Sequence, residues 1–258
     1  MDNHLIAFLD ILGFTSLIRG EDAEAEKAII KLLTSLAAER GNFKQERMPS
    51  TENTTSVSVR PAISTFSDHI VYSYPLSVVM EGIPFWTFQA LANSAAAIAY
   101  DAMQLGCLIR GAITVGPLYH DEGVVFGRAM IDAYEMESRV ALNPRIVLSE
   151  AAAGLMNANA ASGGETFLLF RDDDGLCCLD FMSEAFDQLQ RSSTSANRLG
   201  RSKNWIAMVR LHCDMQIERL TAANNMSGAR HWRWFRNRFD KTIARRHPFV
   251  TGEPNLLN

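Results

Sequence analysis

Cysteine is scarce in this chain, with four in 258 residues, at positions 107, 177, 178 and 213. None forms a Cys-x-x-Cys pair, and the adjacent Cys177 and Cys178 would point to opposite faces of a strand. That excludes a zinc ribbon and a thioredoxin-type redox site, and it leads us to expect reduced thiols in a cytoplasmic protein. The six histidines show neither His-x-x-x-His nor His-x-x-Glu-His spacing, so no zinc site is expected. No stretch reaches the roughly 20 apolar residues that a membrane-spanning helix needs. The first apolar run has no basic segment before it and is interrupted by Asp10, so it does not read as a signal peptide. The charge excess is also small. Twenty-five Lys and Arg against 29 Asp and Glu leave a net charge of −4, too mild to nominate nucleic acid or an acidic membrane as the main partner.

What is present is an ordinary globular composition, 47% hydrophobic and 21% charged, enough to build a core. The length suits one large domain, or one domain with a helical piece appended. The run His4–Asp10 reads as a buried strand that ends at an acid, and Ile11–Thr15 as a glycine-containing turn into a helix. Residues 22–40 are apolar at helical spacing, and residues 41–56 are rich in turn formers and read as a loop. Val57–Phe66 and Ile70–Tyr74 read as a hairpin turning at Asp68. A helix over 81–105, strands at Cys107–Leu118 and Val124–Phe126, a helix over Ala129–Leu142, a strand at Arg145–Leu148 and a hairpin over Phe167–Asp180 follow. This is a β-α-β-β-α-β order with extra strands, an α+β, ferredoxin-like plan. Residues 190–203 read as a polar linker, with helices over about 204–223 and 228–246 beyond it. We expect one domain over 1–183 and a helical C-terminal extension over 184–258, packed on the core or across a dimer.

Asp10 and Asp68 carry the chemical argument. Each lies at the end of an apolar strand, and in a ferredoxin-like sheet the first strand neighbours the hairpin, so the two carboxylates can meet. Paired carboxylates hold hard divalent cations, which in turn clamp phosphate oxygens. Taken singly, either aspartate reads equally well as a helix cap or a turn residue.

Four segments change that balance. Phe8-Leu-Asp10-Ile-Leu-Gly-Phe-Thr15 resembles the metal-binding signature of the class III adenylate and guanylate cyclases. Thr65-Phe-Ser-Asp68 is similar to the second metal-binding segment, Leu108–Leu118 to the family's Arg-x-Gly strand, and Gly127 to the glycine before its catalytic helix. Together they span about residues 5–150. The resemblance implies that Asp10 and Asp68 bind two Mn²⁺ or Mg²⁺ ions per site, with the Ile11 carbonyl as a further ligand. It also implies that the turn Leu12, Gly13, Phe14 and Thr15 cradles a triphosphate and that Arg110 contacts phosphate. Read without the resemblance, Arg110 is equally a solvated strand-end arginine. The implied reaction is attack of a ribose 3′-hydroxyl on the α-phosphorus, releasing a cyclic nucleotide and pyrophosphate.

The departures from the family pattern are specific. The catalytic Asn and Arg are expected at positions occupied by Ile131 and Glu135; Asp132 and Arg139 lie nearby as possible transition-state substitutes. Ser64 stands at the base-reading position, where adenylate cyclases favour Lys and guanylate cyclases Glu, and Val124 stands at the second base-reading position. With the helix Asp132-Ala-Tyr-Glu-Met-Glu137, this resembles the pyrimidine cyclases of bacterial Pycsar antiphage systems. UTP is then the expected substrate, cyclic UMP the product, and a separate effector protein its receiver. CTP, a purine nucleotide, or a degenerate domain that binds nucleotide without turnover are the alternatives. The resemblance further implies a homodimer with sites shared between subunits.

The basic and aromatic segment Arg230–Phe239 could suggest nucleic-acid contact. However, Trp232, Phe235, Phe239 and Ile243 share one helical face, which favours a docked helix and no nucleic-acid partner.

Overall fold

The computed structural model describes residues 1–19, 26–27, 29–34, 46–48, 57–59, 61–76, 83–121, 123–160, 169–191, 198–246 and 248. The chain divides into two compact units, Met1–Leu179 and Asp180–Asn258.

In the first unit, strand β1 (Asp2–Leu12) runs into the short helix α1 (Phe14–Arg19), and residues 26–27 and 29–34 are again helical. Strands β2 (Glu46–Met48) and β3 (Val57–Val59) pair in a small ladder of their own. Then come β4 (Ala62–Phe66), β5 (His69–Pro75), helix α2 (Ile83–Gln104), β6 (Leu108–Asp121), β7 (Val124–Phe126) and helix α3 (Arg128–Arg139). The unit closes with β8 (Ile146–Leu148), helix α4 (Glu150–Ala160), β9 (Leu169–Arg171) and β10 (Cys177–Leu179).

Among the described residues, eight strands form one sheet in the order β4-β5-β1-β6-β8-β10-β9, with β7 paired to β6. In the run β4-β5-β1-β6 each strand is antiparallel to its neighbour, and the four are joined in β-α-β-β-α-β order. This is the ferredoxin-like core expected of the sequence. β8 adds to β6 in parallel.

β1 reads as a continuous apolar run because both its faces are covered, and Leu5 to Ile11 are all buried. On one face Ile6, Phe8 and Val71 pack with Ala129 and Ala133 of α3. On the other face α2 approaches, and Ser94 donates to the Tyr72 hydroxyl at 3.2 Å. Small residues let α3 come close to the sheet, for a Cβ added at Gly116 would lie 3.4 Å from the Ala129 methyl. A close helix carries even short side chains to the sheet surface, and this matters for the site below.

Three expectations need correction. Val57–Phe66 is not one strand: Val57–Val59 pairs with Glu46–Met48, and the site hairpin begins at Ala62, just after Pro61. Proline has no N–H to give a ladder, so it interrupts the run. Secondly, the expected loop over 41–56 contains β2; its remaining residues lie outside the described set. Thirdly, the described parts of the linker expected over 190–203 are helical, and residues 192–197 lie outside the described set. Helix α5 (Phe181–Arg191) covers its start and helix α6 (Arg198–Ala222) takes in its last residues. Helix α4 falls in a stretch for which the sequence reading named no element.

The second unit is α5, α6 and helix α7 (Met226–Arg246). Trp232, Phe235, Phe239 and Ile243 of α7 are buried together on one face. Phe235 stacks on Phe181, and Trp205 packs between Phe186 and Phe239. Three arginines of this unit stand in ion pairs: Arg236 with Asp214 and Asp240, Arg210 with Asp240, and Arg245 with Asp180. No helix among the described residues is long and apolar enough to cross a membrane.

Candidate metal centre

The site is assembled by strand register. Asp10 lies opposite His69 on β5 and opposite Arg110 on β6, so all three side chains rise from the same face of the sheet. Asp68 occupies the tight turn between β4 and β5, next to a left-handed Ser67 (φ 55°). The turn is tied to β1 by the Ile11 N–H, which donates to the Asp68 carbonyl at 2.9 Å.

Asp10 Oδ1 is 3.9 Å from His69 Nε2, and Asp68 Oδ1 is 3.1 Å from His69 Nδ1. One donor atom each from Asp10, Asp68 and His69 lie within 4.8 Å of one another. Two carboxylates suit a small, hard divalent cation such as Mg²⁺ or Mn²⁺, and an imidazole nitrogen beside them tilts the set towards Mn²⁺. The His69 ring is held between Phe66, stacked at 5.3 Å, and Phe8, at 5.0 Å. Packing of this kind fixes a ligand's orientation before the cation arrives.

Two further charges belong to the cluster. Arg110 Nη2 donates to Asp10 Oδ2 at 2.9 Å, while its Nε lies 2.5 Å from Glu137 Oε1. Glu137 projects from α3 and is only 2% exposed. Burial raises the Asp10 carboxyl above its ordinary 3.8, against the opposing pull of Arg110 and His69 and with some help from Asp68. Burial likewise raises Glu137, again against Arg110. One guanidinium thus leaves two buried carboxylates short of compensation, and such a site gains when positive charge is added.

The other expected site residues are placed as follows. Gly13 adopts φ 89° at the turn from β1 into α1; Leu12 and Phe14 are half-buried there, and Thr15 is exposed. Ser64 is buried, with its hydroxyl 3.0 Å from His120 Nε2; the other ring nitrogen of His120 lies 2.8 Å from the Ser73 hydroxyl. Asp132 and Arg139 lie on the outer side of α3 in exposed ion pairs with Arg128 and Glu135, at 3.6 and 3.5 Å. Ile131 is 60% exposed on the same helix. The structure therefore groups Asp10, Asp68 and Arg110, and sets Asp132 and Arg139 on a surface of α3 away from the buried Glu137.

No family model matches the chain, and no curated protein matches it. Two solved structures of cyclase-like proteins are similar to this chain. One is a class III adenylyl cyclase-like ATP-binding protein from Pseudomonas aeruginosa, with 14% identity and a TM-score of 0.36, covering 60% of this chain and 34% of that one. This chain therefore spans about a third of that protein's length. Another is an adenylate/guanylate cyclase/hydrolase from Silicibacter pomeroyi, with 14% identity and a TM-score of 0.35, covering 69% of this chain and 95% of that one.

Two members of the cluster were not singled out from sequence as site residues. His69 was visible only as the neighbour of Asp68. Glu137 was quoted only as part of a helix motif, although Ala129, Ala133 and Glu137 recur every four residues and so share a face. A carboxylate in phase with two alanines on a sheet-facing stripe was the available signal.

Proposed function

We propose that this protein is a nucleotide cyclase of the class III type that converts UTP to 3′,5′-cyclic UMP and pyrophosphate. The single observation that carries the reading is the register of β1 against β5, which sets Asp10 beside the Asp68 turn with His69 between them. Asp10 and Asp68 would hold two divalent cations, Mn²⁺ or Mg²⁺. Such ions supply the Lewis acidity that activates a ribose 3′-hydroxyl and the charge that steadies a departing pyrophosphate. The protein's own part is to pair carboxylates at fixed spacing, to present the Leu12–Thr15 turn to the triphosphate, and to offer Arg110 as a phosphate contact.

The pyrimidine assignment is supported by Ser64 and Val124, neither of which can supply the Lys or Glu used to read purines, and by the resemblance to the Pycsar cyclases. In that setting the product is a second messenger for antiphage defence and acts on a separate effector. A homodimer is supported by exposed apolar side chains: Phe66 and Tyr134 flank Phe8 at the site, and Tyr119, Val124 and Phe126 lie on the β6–β7 arm.

One observation favours a second reading, a nucleotide-binding domain without turnover. Ile131 and Glu135 stand where the family's transition-state Asn and Arg are expected, and Arg139 is engaged with Glu135 on the surface.

Incubating the protein with ATP, GTP, CTP and UTP in Mn²⁺, with product identification by mass spectrometry, separates these readings. Cyclic UMP from wild type and none from Asp68→Ala supports the proposal. Cyclic CMP moves the substrate to CTP. Cyclic AMP or cyclic GMP keeps the chemistry and refutes the pyrimidine assignment. Tight nucleotide binding without product establishes the binding domain.

A further inference from the structure

Glu137 has no part in the chemistry above, yet it is one of the most deeply buried charges in the first unit. A carboxylate at 2% exposure is costly unless a cation partners it. Its partner is Arg110, and that arginine is shared. Nε faces Glu137 at 2.5 Å, and Nη2 donates to Asp10 at 2.9 Å. A planar guanidinium with five N–H donors can serve two carboxylates from different edges at once. Only one of the two belongs to the cation cluster, which comprises Asp10, Asp68 and His69.

This asymmetry has an electrostatic consequence. In the cation-free protein Arg110 occupies an oxygen of Asp10, standing in for a metal ion. A divalent cation arriving at Asp10 must displace that contact and meets a like charge as it does so. With Glu137 present, the arginine keeps a carboxylate partner after giving up Asp10, and its freed Nη2 edge is available to an incoming phosphate. Without Glu137, Asp10 would be the sole carboxylate at hand, and the arginine would compete with the cation at full strength.

We propose that Glu137 is a positioning residue for the cation site, anchoring Arg110 so that it yields Asp10 to a divalent cation. This rests on the reading that Asp10 and Asp68 bind divalent cations. The test is a direct binding titration of Mn²⁺ into the full-length protein without nucleotide. Free ion is followed by electron paramagnetic resonance, for wild type, Glu137→Gln, Arg110→Gln, the double variant and Asp68→Ala.

Glu137→Gln should weaken Mn²⁺ binding roughly tenfold, within the coupling range of contacting groups in one ion-pair network. Arg110→Gln should bind Mn²⁺ at least as tightly as wild type, because the competitor is gone. In the double variant the loss due to Glu137→Gln should largely disappear. Glu137→Asp should recover part of the wild-type affinity. Wild-type affinity in Glu137→Gln overturns the inference, as does a double variant as weak as Glu137→Gln alone. Weaker binding in Arg110→Gln overturns it too, and that arm stands even if Glu137→Gln fails to fold. In each of these cases the metal-site reading survives so long as Asp68→Ala abolishes binding. If wild type takes up no Mn²⁺, both readings fall together.

Discussion

Gly127 is the hinge between β7 and α3, and replacing it with alanine should be costly for two separate reasons. Its backbone sits at φ 140°, ψ 172°, a region open in practice only to glycine. A residue with a Cβ held there carries about 1–3 kcal/mol of strain. Independently, that Cβ would lie 2.6 Å from the Pro117 carbonyl oxygen and 2.9 Å from the Leu118 Cα. Both obstacles are backbone, so neither can rotate away, and overpacking of this kind costs about a further 1–3 kcal/mol. Gly127→Ala should therefore destabilise the protein by about 2–6 kcal/mol, a fall of roughly 5–20 °C in melting temperature for a unit of this size.

The assay is thermal unfolding followed by circular dichroism, with Gly154→Ala as the control. Gly154 lies within α4 with nothing within 4 Å of its would-be Cβ and no positive φ. Alanine there should be neutral or stabilise by about 0.5–1 kcal/mol. A Gly127→Ala protein that melts within about 2 °C of wild type would refute the backbone argument. So would an equal loss at both glycines, because the geometry predicts opposite signs.

Further outcomes follow from other contacts. His69→Ala should weaken Mn²⁺ binding more than Mg²⁺ binding, since it removes the only nitrogen donor of the cluster; unchanged Mn²⁺ affinity in paired titrations would show that His69 is not a ligand. Arg145 is buried and held by Asp172, Asp174 and the Val140 carbonyl, so Arg145→Met should cost about 3 kcal/mol in denaturant unfolding, and a loss under about 1 kcal/mol would refute that weight. The Arg145 hydrogen bond holds the Asp174 carboxyl below its ordinary 3.8. This contribution is whole above that value and drains away as pH falls through the lowered one, so the variant should lose that part of the acid-side slope of stability. Burial pushes the Cys178 and Cys213 thiols up to about 12, so neither should react with a thiol reagent at pH 8 in the folded protein; rapid labelling of either by mass mapping would contradict the packing.

Much of the frame was legible because it is local. Apolar runs closed by Asp10 and by Ser67-Asp68 announce strands and a turn, and the ferredoxin-like order follows from their alternation with helical stretches. The misreadings share a physical origin. Pro61 was passed over inside an apolar run, although its missing N–H divides the run. In α6, Ser202, Trp205, Ile206, Val209 and Cys213 are buried at helical spacing, so the helix had already begun within a stretch that composition marked as linker. The cluster's charges divide in the same way. Asp10, Asp68 and Arg110 stand in or beside short recognisable segments. Glu137 reaches Arg110 only because α3 lies close against β6, and that closeness depends on Gly116 and Ala129 together. No single segment carries that information.

The site also shows why fold and function cannot be varied independently here. Asp10 meets His69 and Arg110 because β1 pairs with β5 and β6 in one register along its length. A slip of one residue would turn Asp10 to the opposite face and bring Leu9 or Ile11 into its place. What holds the register is burial on both faces. Ile6 and Phe8 are locked against α3, while Leu5, Ala7 and Leu9 are sealed on the other side. The side chains that fix the carboxylate are therefore core residues, and Phe8 belongs to both sets: it packs under Ala129 and Ala133 and also lies against the His69 ring. Enlarging Ala133 would press on Phe8 from above and displace His69 and Glu137 together, so a core substitution should register as lost cation affinity before the protein unfolds. The Asp10, Asp68 and His69 cluster is in this sense the end of the same packing that closes the sheet.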